Sequence, residues 1–170
     1  EVITAGAGVE FGRAQGGFAR IIQKQGSNTH EGIVEFYWRT SELDGDGAED
    51  FSALPEAKFD SYQPSFQFSG PVAKDKLWYR ASYERIDDER PINVLSGIEV
   101  FEQVRETYDG QLTWQISPRN KLALQFRADP DEATNFGISS RVEPDSSRSY
   151  EQDVETWSLN WTAPYSPKVL

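Results

Sequence analysis

Six stretches of this chain alternate residue by residue between an apolar and a polar series, and a period of two admits only strands with two unlike faces. In Ile33 to Thr40, Val34, Phe36 and Trp38 oppose Glu35, Tyr37 and Arg39. In Ser65 to Val72, Phe66 and Phe68 oppose Ser65, Gln67 and Ser69. Leu77, Tyr79, Ala81 and Tyr83 then alternate with Trp78, Arg80, Ser82 and Glu84. Tyr108, Gly110, Leu112, Trp114 and Ile116 alternate with Thr107, Asp109, Gln111, Thr113 and Gln115. A fifth stretch sets Leu122, Leu124, Phe126 and Ala128 against Lys121, Ala123, Gln125 and Arg127. The sixth sets Trp157, Leu159, Trp161 and Ala163 against Thr156, Ser158, Asn160 and Thr162. Ile98 to Arg105 has a mixed pattern and is assigned to the fourth strand, so helix content is expected to be small.

The connections alternate in length. Short ones fall at 73–76, at 117–120 and around 164–168; long, acidic ones cover roughly 41–63, 86–100 and 129–149. A membrane barrel combines short turns at one rim, long loops at the other, and strands of about 9–11 residues with an apolar outer face. Aromatic residues near strand ends (Trp38, Trp78, Tyr79, Trp114 and Trp161) suit the two interfacial girdles of such a barrel. The spacing therefore predicts an all-β, antiparallel up-and-down meander, part of a transmembrane β-barrel. A soluble β-sandwich shows the same alternation around a dry core, but not the regular exchange of short and long links.

Composition narrows the function classes. The 170 residues carry a net charge of −11, against the basic patch that a nucleic-acid surface needs. The apolar share is 37%, yet aromatics reach 13%, which suits alternating strands better than a buried helical core. No cysteine is present, so disulfide frameworks and thiolate metal sites are excluded. No apolar run approaches the ~20 residues of a membrane helix. The sequence has no initiator Met and no signal peptide, and its first residues already read as the inside of a domain, so a fragment is expected.

That beginning carries a second signal. Glu10-Phe11-Gly12-Arg13, Gly16-Gly17, a strand from Phe18 to Lys24, and Gly26-Ser27-Asn28 followed by His30 and Gly32 stand in close order. The string Gly70-Pro71-Val72-Ala73-Lys74-Asp75-Lys76-Leu77-Trp78-Tyr79 follows at a fitting distance. Together these resemble the junction between plug and barrel in TonB-dependent outer-membrane receptors, in the branch whose full-length members often carry a carboxypeptidase-regulatory-like domain ahead of the plug. The likeness departs at Arg20 and Gln23, where the family more often has Asn and Thr.

The resemblance implies that residues 1–30 are the end of a plug domain and that 31–170 are about the first six strands of an incomplete barrel. It marks Gly12, Arg13, Gly16, Gly17, Lys24, Gly26 and Asn28 as the plug-junction motif. It further implies a bacterial outer-membrane protein that is not an enzyme, takes up a scarce small-molecule or oligomeric cargo, and faces outer-membrane lipid. Contact with TonB would pass through a segment outside this chain. Glu35, Arg39, Arg80, Glu84, Asp109 and Arg127 are expected to face the lumen, where lipid cannot penalise charge and a plug can pair with it.

Other chemistry is thinly represented. Asp44-Gly45-Asp46-Gly47-Ala48-Glu49-Asp50 could wrap Ca²⁺, but Ala48 and Glu49 break the EF-hand pattern, and a solvated acidic loop is the expectation. Asp87-Asp88-Glu89 could supply a glycosidase pair, though sequence neighbours on a loop seldom hold the required separation. His30 is the single histidine, and no Gly-x-Ser-x-Gly elbow accompanies it. No catalytic residue, metal or cofactor is expected. The rival from another class is a secreted carbohydrate-binding or carbohydrate-active β-sandwich, with exposed Trp and paired acids as its site.

Overall fold

A computed structural model describes residues 2–3, 18–19, 27–43 and 58–163. Two short strands, β1 (Val2–Ile3) and β2 (Phe18–Ala19), pair antiparallel with each other. The main sheet is built from β3 (Glu31–Thr40), β4 (Asp60–Ala73), β5 (Leu77–Val94), β6 (Gly97–Ser117), β7 (Asn120–Ala128), β8 (Asp131–Phe136), β9 (Arg148–Gln152) and β10 (Glu155–Thr162). Every pairing is antiparallel, and the spatial order is β3-β4-β5-β6-β7-β10. The sheet is open: β3 and β10 are its two edges, and their residues are almost all exposed. Helix among the described residues is limited to short 3-10 turns at Ser41–Leu43 and Pro144–Ser146.

Of the tight links expected from the sequence, the two that are described lie at the same end of the sheet. In the β4–β5 turn, Lys76 donates its N–H to the Ala73 carbonyl at 3.1 Å, and Asp75 takes a left-handed φ of 62°. In the β6–β7 turn, Asn120 Nδ2 donates to Ser117 Oγ at 2.8 Å, and Gln115 Nε2 donates to the Ser117 carbonyl at 2.6 Å. The link expected around 164–168 and the strand expected over 20–24 lie outside the described residues.

At the other end the structure corrects the expected long loops. Residues 86–100 are not a loop: β5 and β6 continue through them as one hairpin, in register from Leu77↔Trp114 to Val94↔Gly97, with Leu95-Ser96 as the turn. Gly97 closes that turn at φ 148°, a backbone conformation open to glycine. The tip is tied down, because Ser96 donates through its backbone N–H and its hydroxyl to the Glu143 carboxylate at 3.1 and 2.6 Å.

The span 129–149 is strand at its two ends, in β8 (Asp131–Phe136) and the first residues of β9 from Arg148, with a 3-10 turn at Pro144–Ser146 between them. β8 continues β7 past Asp129-Pro130 without a register shift: Tyr108↔Ala128 on β6–β7 is followed by Arg105↔Asp131 on β6–β8. β9 runs into β10 in the same way, from Asp131↔Gln152 to Ala128↔Glu155. Proline supplies no N–H for the ladder, but backbone bonds from Glu106 to the Pro130 carbonyl (2.9 Å) and from Asp129 to the Val154 carbonyl (2.8 Å) bridge the gap. The meander is therefore preserved, and its strands project about ten residues past Tyr108, roughly 30 Å at ~3.3 Å per residue.

Register sorts the side chains into two faces. On one, Phe68, Ala81, Gly110, Phe126 and Trp157 form a row, as do Tyr79, Leu112, Leu124 and Leu159. On the other, Ser69, Arg80, Gln111, Gln125 and Ser158 line up. Burial runs opposite to the rule for a water-soluble sheet. The apolar face is open, with Phe36 64% and Leu159 65% exposed, whereas on the polar face Gln111 and Thr113 are only 5% and 1% exposed. Among the described residues, the buried apolar ones, Val94, Ala133 and Ile138, all lie in the projecting part.

Candidate functional site

The polar face gathers the six residues singled out for it. Arg80 is the centre: its guanidinium donates to Asp109 Oδ1 at 3.2 Å and to Gln67 Oε1 at 3.3 Å, and both charged partners are largely buried. Glu84 accepts from Gln63 Nε2 at 2.6 Å. Asp109 stands directly across from Arg127, whose guanidinium reaches along the strand to Asp129 through bonds of 2.7 and 2.9 Å. Arg39 lies over the Phe59 ring at 4.8 Å and reaches Asp88 at 4.0 Å, while Glu35 stands opposite Ser65 on the edge pair. Arg80 Nε and Gln111 Oε1 are buried without a partner, and the two residues are cross-strand neighbours. A buried donor and a buried acceptor thus belong to adjacent residues of this face.

The apolar face has aromatic margins. Beside the tight turns, Leu77, Trp114, Leu122 and Trp161 share one row. Toward the projection, Phe66, Tyr83 and Tyr108 form a ladder with ring centroids 5.1 and 5.0 Å apart, and between the margins Phe126 packs on Trp157 at 4.4 Å. Trp78 departs from the expected girdle. It alternates with Tyr79, so it belongs to the opposite face, and its indole turns to Asn28.

One row beyond the tyrosines the chemistry turns ionic. Glu106 accepts from the Tyr83 hydroxyl at 2.6 Å, the Tyr108 hydroxyl at 3.1 Å and Arg85 at 3.3 Å. The Tyr83 hydroxyl, with smaller help from Tyr108 and Arg85, holds this carboxyl below the usual range although desolvation pushes it up. Asp129 is held low in the same sense, first by the Arg127 guanidinium and then by the Thr107 hydroxyl. Apolar rows end where this network begins.

Sequence reasoning missed a clasp at the start of β3. Asn28 Oδ1 accepts from the Asp75 N–H at 3.0 Å and from the Trp78 indole at 2.8 Å, and Asn28 Nδ2 donates to Asp75 Oδ1 at 2.5 Å. His30 Nδ1 lies 3.4 Å from the Tyr79 hydroxyl, against Gly70, where an added Cβ would come within 2.2 Å of that nitrogen. The signal was present in Asn28 and in the string from Gly70 to Tyr79, but their contact spans 47 to 50 residues. Gly12, Arg13, Gly16, Gly17, Lys24, Gly26 and the acidic cluster 44–50 lie outside the described residues. Among the described residues, no group of three or more His, Asp or Glu is placed to hold a metal ion.

The chain is similar to the TonB-dependent transporter Oar of Myxococcus xanthus, 31% identical over 106 residues, covering 55% of this chain and 10% of that protein. That likeness supports the TonB-dependent transporter family. The chain spans about a tenth of that relative's length. No protein-family model matches the chain, and no solved structure does.

Proposed function

We propose that this chain is the plug–barrel junction and the first barrel strands of a TonB-dependent receptor in a bacterial outer membrane. Residues 1–30 are then the end of the plug, and 31–170 about six strands of a barrel completed by further strands, since bacterial barrels have at least eight. The observation that carries the reading is the inverted pair of faces: exposed Phe36, Phe68, Leu112 and Leu159 on one side, buried Ser69, Gln111 and Thr113 on the other. Lipid takes the first face without penalty. The second, with Glu35, Arg39, Arg80, Glu84, Asp109 and Arg127, lines a polar lumen and meets the plug. In a soluble sandwich the polar face would be the wet one, so a carbohydrate-binding sandwich is not favoured.

The role is uptake, not catalysis. Cargo binds the outer projection together with the plug, and TonB, acting on a segment outside this chain, moves the plug. A wide barrel must be blocked at rest, so opening it needs an energy input. The test uses the full-length gene product. It should partition to the outer membrane, migrate differently on gels before and after heating, and lose uptake when TonB is removed. A product that is soluble without detergent and insensitive to heating would overturn the reading.

A further inference from the structure

We propose that Asn28 is a mechanical anchor: it fastens the chain to the β4–β5 turn, so that a pull on the residues before Ser27 stops there and does not reach β3. Both ends of its amide are engaged, the oxygen by the Asp75 N–H and the Trp78 indole and the nitrogen by the Asp75 carboxylate. Asp75 is presented for this by its left-handed backbone, φ 62°, which aspartate tolerates better than most residues. A second point of attachment follows two residues on, where His30 fills the space that Gly70 leaves open.

The clasp stands ahead of the first pair of β3. Among the described residues β3 pairs with β4, from Glu31↔Ser69 to Thr40↔Asp60. A force applied to the chain before Ser27 reaches the clasp before it reaches the Glu31↔Ser69 pair. Asn28 and His30 take that load before Glu31. The meaning for transport rests on the proposed reading that the preceding residues belong to a plug, which could then be displaced while the barrel stays closed on itself.

The experiment is single-molecule pulling on the full-length protein in a lipid bilayer, with the handle at its N-terminus. In the unmodified protein a force barrier should appear at the extension that places the break at residue 28. Asn28→Ala should abolish that barrier, and β3 should unzip from Glu31 to Thr40 in its place. Asp75→Gly keeps the left-handed turn and removes one bond, so it should lower the barrier without moving it, and it serves if the alanine variant does not fold. An unchanged barrier in either variant, or none at residue 28 in the parent, would overturn the anchor. The break position is read from chain length alone. Where the product needs no bilayer the same pull is made in solution, so the anchor stands or falls separately from the barrel reading.

Discussion

Leu112 and Leu124 face each other across β6 and β7, and both are open to the surroundings, 45% and 38% exposed. One residue along each strand, Gln111 and Gln125 also face each other, and Gln111 is buried. Adjacent cross-strand pairs thus report opposite environments. A period of two allows no other arrangement once one face is chosen, so each substitution below is read against its neighbour on the other face.

The projecting hairpin should be ordered without cargo. Alternate amides over 86–94 and 98–105 bond across the ladder, Pro91 having none, and its tip is held by Glu143. Hydrogen exchange on the full-length protein in detergent should show protection there comparable to 108–116. Exchange at the rate of an open loop would contradict the extended hairpin.

The span 86–100 escaped the sequence pattern for a physical reason. Asp87-Asp88-Glu89-Arg90 is a run of charges, which reads as a solvated loop, yet its members alternate faces and find partners. Asp87 pairs with Arg85 at 3.1 Å, Asp88 with Arg90 at 2.5 Å, and Glu89 accepts from the Asp60 N–H at 2.7 Å. Likewise Asp129-Pro130 carries a turn signal but only interrupts a ladder whose register continues. The band itself is legible, because there each face carries one residue class: the alternation predicts a strand over Lys121 to Ala128, and Asn120–Ala128 is observed. The Asn28 clasp is not, since no local pattern links residues 47 to 50 positions apart.

The projection should obey aqueous packing. Ala133 is buried between Gln103 and Tyr150 on the neighbouring strands. Ala133→Asp would bury an unpaired charge, a cost of several kcal/mol, and should open the β8–β9 hairpin. Limited proteolysis should then cut within 131–152 while heat-modified migration is retained. Loss of both would mean that the projection and the band fold as one unit.

Acid should weaken the junction between band and projection first. Glu106 and Asp129 have folded values below their ordinary 4.5 and 3.8. Their contribution is present above those ordinary values and is lost as pH falls through the depressed ones. Hydrogen exchange over 102–106 and 129–132 should therefore rise as pH drops below the ordinary carboxylate range, once corrected for intrinsic rates. Glu106→Gln and Asp129→Asn should each flatten that response. A pH response identical to the parent's in the double variant would remove these carboxylates as its source.

The central claim is that the apolar face meets lipid and the polar face does not, and denaturant unfolding of the full-length barrel in lipid tests it with one substitution at two adjacent positions. Leu124→Arg should destabilise by about 2–4 kcal/mol near the bilayer midplane, while Gln125→Arg, on the opposite face, should cost far less. Equal costs at 124 and 125, or a greater cost at 125, would contradict it.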